Sequence, residues 1–291
     1  MKFLVLGATG MAGHTISIYL LEQGHNVDTF SRKSFRYGHN IIGDVKCLDK
    51  LQEIIVTGDY DYIINCIGSL NQFAEQNKDN AVFLNSFLPH WLIKTTANLT
   101  TRIIHMSTDC VFSGNSGGYT ERAFPDGKTF YDRSKALGEN DDNKNLTFRN
   151  SIVGPDISKD GIGLFNWFMK QRREVNGYTK VFWSGVTTLT LAKAMEQAAK
   201  EKLTGLYHLT NNTSVSKYEL LSLFNKYAKN NALQINPVDG IECNKTIINT
   251  RKDFSFIVPS YDEMVKEMID WIETHNELYP QYSLIREGKK I

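Results

Sequence analysis

The four cysteines of this chain, Cys47, Cys66, Cys110 and Cys243, stand apart, with no CxxC and no Cys/His spacing. A disulfide framework and a zinc site are therefore both without support. Prolines number six and gather in no linker, and no internal repeat or low-complexity tract interrupts the 291 residues. No apolar run comes near the roughly twenty residues of a membrane span. The apolar start from Met1 to Leu6 stops at Gly7, short of a signal-peptide core of roughly 7–15 residues. A cytoplasmic chain without membrane contact is expected. An excess of one charge is also missing: 33 Lys+Arg face 32 Asp+Glu, and no basic run exceeds two residues. Nucleic acid, which needs a basic stripe, is not an expected partner. What is present is 41% hydrophobic and 11% aromatic side chains, enough for a sizeable core and too much for a disordered chain.

Short β-rich apolar runs alternate with helical patterns through the first half, as in a doubly wound parallel sheet. Strands are predicted at 2–6, 26–30, 61–67, 102–107 and 146–152, with helices between them. Beyond residue 153 the pattern loosens into an aromatic segment at 162–183, a helix near 187–201, a strand at Gly205 to Leu209 and helices near 215–229 and 260–275. The expected fold class is α/β, a Rossmann-type sheet with a smaller C-terminal lobe. Residues 1–153, rejoined by 186–211, would form the first part; 154–185 and 212–291 would form the lobe.

Gly7-Ala8-Thr9-Gly10-Met11-Ala12-Gly13 follows the first strand and opens the first helix. Small residues there let the backbone turn tightly and approach a pyrophosphate, whose charge sits at the helix N-terminus. Gly7, Thr9, Gly10, Met11 and Gly13 are thus candidate dinucleotide-binding residues. An NAD enzyme would carry an acidic residue at the end of the second strand. Here the chain reads Phe30-Ser31-Arg32-Lys33, and a hydroxyl with two cations suits the 2′-phosphate of NADPH. Asp28 lies two or three residues too early for the NAD role, and a shifted strand end would reopen NADH.

One Tyr-x-x-x-Lys occurs, Tyr131 to Lys135. On a helix that spacing puts both side chains on one face, and an ammonium beside a phenol favours the phenolate. Upstream, Ser107 and Thr108 end a central strand, where open α/β sheets bind ligands.

Together these residues resemble the short-chain dehydrogenase/reductase superfamily in its extended, sugar-nucleotide branch. Gly7 to Gly13 is similar to its GxxGxxG, Asp44-Val45 to its adenine-contacting pair, Asn65-Cys66-Ile67-Gly68 to its fourth-strand turn, and Tyr131 with Lys135 to its active pair. Within that branch Ser107 to Gly114 resembles the STDYVFDG-like turn of the dTDP-4-dehydrorhamnose reductase family. Tyr131 to Glu139 resembles its YGxSKxxGE, and Arg149-Asn150-Ser151 its RTS. The resemblance covers at least residues 1–211. It implies that NADPH delivers hydride to the C4 ketone of a nucleotide-linked 4-keto-6-deoxysugar. Tyr131 would donate the proton, Lys135 would lower its pKa and hold the nicotinamide ribose, and Thr108 would bond the carbonyl oxygen. Cys66 and Gly68 would contact the cofactor, and Asp109, Cys110 and Asn150 the substrate. A homodimer is the family expectation.

Several residues depart from the family pattern. A dehydratase of this branch carries Asp-Glu after the threonine, whereas Asp109 is followed by Cys110. Cys110 aligns with the catalytic cysteine of GDP-fucose synthase, a reductive epimerase. Its second acid is usually a histidine, and none occurs between His105 and His208. Cys110 is read as a small apolar filler. Trp167 and Trp183 are candidates to stack on a nucleotide base, with core packing as the alternative. Arg172, Arg173 and Arg251 are candidates for the diphosphate, with a solvated surface as the alternative. No cluster of metal ligands is evident. A UDP-linked 2-acetamido-2,6-dideoxy-4-hexulose fits as well as a dTDP sugar, and a non-catalytic subunit that keeps the dinucleotide site stays open.

Overall fold

The computed structural model describes residues 1–286, 289 and 290. The first half runs β1 (Lys2–Leu6), α1 (Met11–Glu22), β2 (Asn26–Ser31), β3 (His39–Ile42), α2 (Leu48–Thr57), β4 (Tyr62–Asn65), α3 (Asn71–Gln76) and α4 (Lys78–Ala81). A π-helical turn (Val82–Phe87), α5 (Leu88–Thr95), β5 (Arg102–Ser107), α6 (Phe130–Ala136) and β6 (Leu146–Arg149) follow. The second half adds β7 (Ile152–Val153), α7 (Leu164–Met169), β8 (Glu174–Tyr178), β9 (Val181–Trp183), β10 (Val186–Thr187), α8 (Thr188–Glu201) and β11 (Gly205–His208). It continues with β12 (Val215–Ser216), α9 (Lys217–Lys229), β13 (Gln234–Val238), β14 (Cys243–Asn244) and α10 (Tyr261–Thr274).

Seven strands form one sheet in the order β11-β6-β5-β4-β1-β2-β3, and every pairing in it is parallel. Strand order reverses between β1 and β4, so the ligand crevice of such a sheet opens at their carboxyl ends. β1 reads Lys-Phe-Leu-Val-Leu, and its last four residues are buried on both faces because helices cover both. Two apolar clusters fill the two sides. One joins Leu4, Leu6, Ile63, Leu88 and Leu92. The other runs without a break from Phe3, Ile16 and Phe148 under the sheet to Phe224, Met268 and Ile269 in the C-terminal part. Each such side chain contributes roughly 1.5–3 kcal/mol when fully buried, so sheet and lobe share one core. Among the described residues no helix is long and apolar enough to cross a membrane.

Two strand expectations change. The predicted 146–152 strand breaks after Arg149: Ile152–Val153 leaves the main sheet to pair with β10, and the break leaves Asn150 and Ser151 between the two strands. β3, a half-exposed edge strand beside β2, carries only two apolar residues and gave no periodic signal.

His14 on α1 is fully buried. Its Nδ1 lies 2.9 Å from the Gly10 carbonyl, which can only accept, so Nε2 is the acceptor for the Tyr279 hydroxyl at 2.8 Å. Trp271 Nε1 in turn donates to Tyr279 at 3.1 Å. Burial brings the His14 pKa down to about 4 and that of His208 to about 4. The unfolded chain binds protons on both from about pH 6.5 downward, so stability falls as pH drops from there toward about 4. Melting temperature is expected to decrease between pH 7 and pH 5, and His14→Gln to flatten that decrease. Identical slopes for both proteins in circular dichroism melts would contradict the assignment.

Candidate active site

The glycine turn comes first along the chain. Gly7 takes φ 86°, a conformation that side chains resist, and donates its N–H to the Phe30 carbonyl at 2.8 Å. α1 then starts after Gly10, its N-cap, with no side-chain cap and no acidic residue in its first turn. Its first N–H groups are therefore open to an anion. A cavity of about 760 Å³ lies against this turn, lined by Gly7, Thr9, Gly10, Ser31, Arg32, Asp44, Val45, Cys66 and Gly68. A second cavity, of about 700 Å³, shares Thr9 and Arg32 with it and adds Lys33, Ser34, Ile157 and Ser158.

Two of the predicted glycine-turn residues do not face this space. Gly13 is buried, and a Cβ there would lie 2.2 Å from the Gly7 carbonyl oxygen. Its function is to let α1 press onto the turn. Met11 points its sulfur toward Gly163 of the lobe instead. Asp28 is spent elsewhere: the Tyr60 hydroxyl donates to it at 2.6 Å and His39 lies 3.2 Å away. Arg32 by contrast is exposed at the mouth of both cavities.

The far wall comes from α3, α4 and the π-helical turn, through Leu70, Phe73, Gln76, Asn77 and Leu84. No sequence pattern announced it, because short helices of mixed polarity carry no clear period. Asn85 of that turn is fully buried, bonds both the N–H and the carbonyl of Ser69, and donates to Ser134 Oγ at 3.0 Å. It thereby ties the segment after β4 to α6.

α6 is a seven-residue helix with a capping box: Thr129 accepts from the Asp132 N–H while Asp132 accepts from that of Thr129. Glu75 of α3 accepts the Phe130 N–H at 2.7 Å. The helix presents Tyr131 and Lys135, both buried. Thr108 caps the short helical turn Asp109–Val111 by accepting from the Cys110 N–H at 3.1 Å. The Thr108 hydroxyl donates to Asp109 Oδ1 at 3.2 Å, and Thr108, Asp109 and Cys110 all act on the buried Tyr131 phenol. Cys110 also packs with Tyr131, Ala74, Ala81 and Phe130. Burial pushes its thiol up to about 12, which leaves it a protonated, apolar neighbour.

Burial raises the Tyr131 pKa, Cys110 adds to the rise, and Thr108 opposes it. The Lys135 ammonium donates to the Met106 carbonyl at 2.6 Å, and burial brings its own pKa down to about 8, against the pull of Glu139. Tyr131 is thus a proton carrier at neutral pH.

On the lobe side, the half-buried Lys217 of α9 and Lys245 after β14 both act on the buried Asp109, partly offsetting the rise that burial imposes on its carboxyl. Neither lysine belongs to a recognisable motif. Asn150 follows Arg149, which pairs with Ser107, so it lies at the level of Thr108. It is 3% exposed, and its Oδ1 and Nδ2 meet no partner among the described residues. Trp167 is 42% exposed and stays available for stacking. Trp183 is not: it is 3% exposed, packed against Tyr261 at 5.7 Å and covered by Lys217. The base-stacking expectation for Trp183 is corrected to core packing. Arg251 is likewise committed, donating to the Thr204 and Leu206 carbonyls and pairing with Asp253. Arg172 and Arg173 are exposed and line neither cavity.

Fold and groove define a Rossmann-type α/β protein built on a seven-stranded parallel sheet. The family model described as RmlD substrate binding domain matches residues 1–272, and the chain belongs to that family. A probable low-salt glycan biosynthesis reductase of Haloferax volcanii is 30% identical over 48% of this chain and 48% of its own length. The dTDP-4-dehydrorhamnose reductase of Mycobacterium tuberculosis is 28% identical over 47% of this chain and 44% of its own. The matches thus span about half the length of these relatives. Methionine adenosyltransferase 2 subunit beta of Xenopus laevis is 25% identical over 75% of this chain and 70% of its own. Among solved structures, the dTDP-4-dehydrorhamnose reductase of Bacillus anthracis in complex with NADP has the same fold. It gives a TM-score of 0.78 over 94% of this chain and 99% of that one, at 21% identity.

Gly13→Ala is expected to force α1 off the turn, lowering the melting temperature by several degrees, since overpacking costs about 1–3 kcal/mol. A variant that melts with the parent would show that the helix has room to move.

Proposed function

We propose that this protein uses NADPH to reduce the C4 ketone of a nucleotide-linked 4-keto-6-deoxysugar, in the cytoplasm. The observation that carries the reading is the buried Tyr131, packed against Cys110 two residues past Thr108, with Lys135 one turn beyond Tyr131 on α6. Residues 1–153 with 186–211 are proposed to hold the cofactor, and 154–185 with 212–291 the sugar nucleotide.

The residues present fit a dinucleotide. The uncapped start of α1 suits a pyrophosphate, and exposed Arg32 at the groove mouth suits a 2′-phosphate, with Asp28 turned away from any ribose role. When bound, NADPH supplies the hydride. The chain supplies the rest. Thr108 orients the ketone oxygen, and the protonated phenol of Tyr131 gives up its proton as negative charge develops there. The raised pKa of Tyr131 favours this direction of reaction, since a reductase needs its acid protonated at the start. Below about pH 8 Lys135 carries a charge that can bind ribose hydroxyls. Asn150, with two unused polar atoms, is assigned to the sugar. The nucleotide is dTDP or UDP, the latter on a 2-acetamido sugar.

A second reading, a dinucleotide-holding subunit without turnover, is favoured by one observation. The match to the Xenopus subunit covers more of both chains than the matches to the reductases do. NADPH oxidation with a panel of dTDP- and UDP-linked 4-keto-6-deoxysugars separates the two, since binding without oxidation supports the subunit.

Tyr131→Phe is expected to lower kcat by about 10²–10⁴-fold, the usual contribution of a positioned acid; retained turnover would overturn its role. Arg32→Ala is expected to weaken NADPH by at least about tenfold, as loss of a charged hydrogen bond does, while leaving NADH unchanged. Equal losses for both dinucleotides, by fluorescence titration, would contradict the 2′-phosphate assignment.

A further inference from the structure

We infer that Glu139 is a positioning residue, which locks α6 to the ends of three strands and holds a negative charge behind Lys135. The inference rests on the reading of Tyr131 and Lys135 above.

The parallel registers set Ser107 of β5, Arg149 of β6 and His208 of β11 in one row across the sheet, each the last residue of its strand. Residues in one row project from the same face. Glu139, just beyond α6, closes over that row. Its Oε1 accepts from Ser107 Oγ at 2.5 Å and from Arg149 Nε at 2.7 Å, and its Oε2 accepts from Arg149 Nη2. The remaining Arg149 Nη1 lies 2.8 Å from His208 Nε2. The other ring nitrogen of His208 faces the Ile248 carbonyl at 3.0 Å and so carries the proton, leaving Nε2 as the acceptor. The Arg149 guanidinium lies 4.9 Å from the Phe112 ring centroid, and Phe112 stacks on Tyr119 at 4.2 Å. Arg149 is 2% exposed and Glu139 8% in their side chains.

Every polar atom of the pair therefore points somewhere specific, and each target belongs to a different strand or segment. A helix of seven residues is marginal by itself and depends on contacts with its surroundings. Anchored at its start by Thr129 and Glu75, in its middle by the bonds of Asn85 and Ser86 to Ser134 and past its end by Glu139, α6 cannot slide along β5 without breaking a buried ion pair. Such a slide would carry Tyr131 away from Thr108, which sits one residue past the Ser107 that Glu139 holds.

The second consequence is electrostatic. Glu139 beyond its own helix, Cys66 after β4 and His105 on β5 all act electrostatically with the Lys135 ammonium, and the Tyr131 phenol lies one turn before it. The Cys66 thiol is pushed up to about 12 by burial, burial keeps His105 neutral, and the Tyr131 phenol stays protonated. Glu139, paired with Arg149, is the carboxylate that favours the charged lysine.

The test compares the parent with Glu139→Gln, which keeps shape and removes charge, and with Glu139→Leu/Arg149→Met, which replaces the buried pair by apolar groups and commonly restores stability. The readouts are the pH dependence of NADPH affinity, by nucleotide fluorescence, and of kcat/KM. In Glu139→Gln the pH at which affinity weakens is expected to fall by about one unit, as loss of a nearby opposite charge does, and by less in the double variant, which removes the positive Arg149 as well, with kcat reduced at least about tenfold at pH 7.5 in both. Profiles that superimpose on the parent's after scaling for folded fraction would overturn the inference and leave the pair a structural feature only. The fluorescence titration needs no sugar, so absence of turnover with every sugar nucleotide sinks the reductase reading without deciding this one.

Discussion

Buried charge is the constraint around which the centre of this molecule is arranged. Taking Glu139 and Arg149 out of water costs several kcal/mol per ion, and their attraction repays this only where the geometry is good and the leftover donors and acceptors are matched. The chain meets that condition by ending three neighbouring strands at one level, so that Ser107 and His208 flank Arg149. The same levelling puts Thr108 and Asn150, both buried, on the next row out. The position of that row and the satisfaction of the pair are one requirement, because a one-residue slip of any of these strands turns its side chains to the other face.

Burial also divides the acid–base groups by sign. The same removal from water that holds protons on Tyr131, Cys110 and Cys66 loosens the proton on Lys135. At neutral pH the neighbourhood therefore offers a neutral phenol beside a cation that is close to losing its charge. That pairing suits delivery of a proton to a new alkoxide better than abstraction of one from an alcohol.

Much of this was legible in the residues themselves, for identifiable reasons. The glycine turn announces itself because its small residues are demanded by backbone geometry, and the Tyr131/Lys135 pair because helical spacing fixes their relative direction. Alternating apolar runs located the buried strands, while β3 escaped because an edge strand needs little apolar character. The far wall, Asn85 and the lysines 217 and 245 could not be read. They reach the site through long-range folding, and their own segments carry ordinary surface composition. The tryptophans show the limit most clearly. Trp167 and Trp183 look alike in sequence, yet one is 42% exposed and the other 3%, a difference set by whether Tyr261 of α10 lies against the ring.

The bond between His14 and Tyr279 joins residues 265 positions apart, and through Gly10 it braces the turn at the very start of the chain. During synthesis the sheet has all seven strands once residue 208 has emerged, but this brace has to wait for residue 279. The pocket that reads first in sequence is thus among the last to become rigid, and a nascent or truncated chain lacking its final turns would present a sheet without a firm cradle.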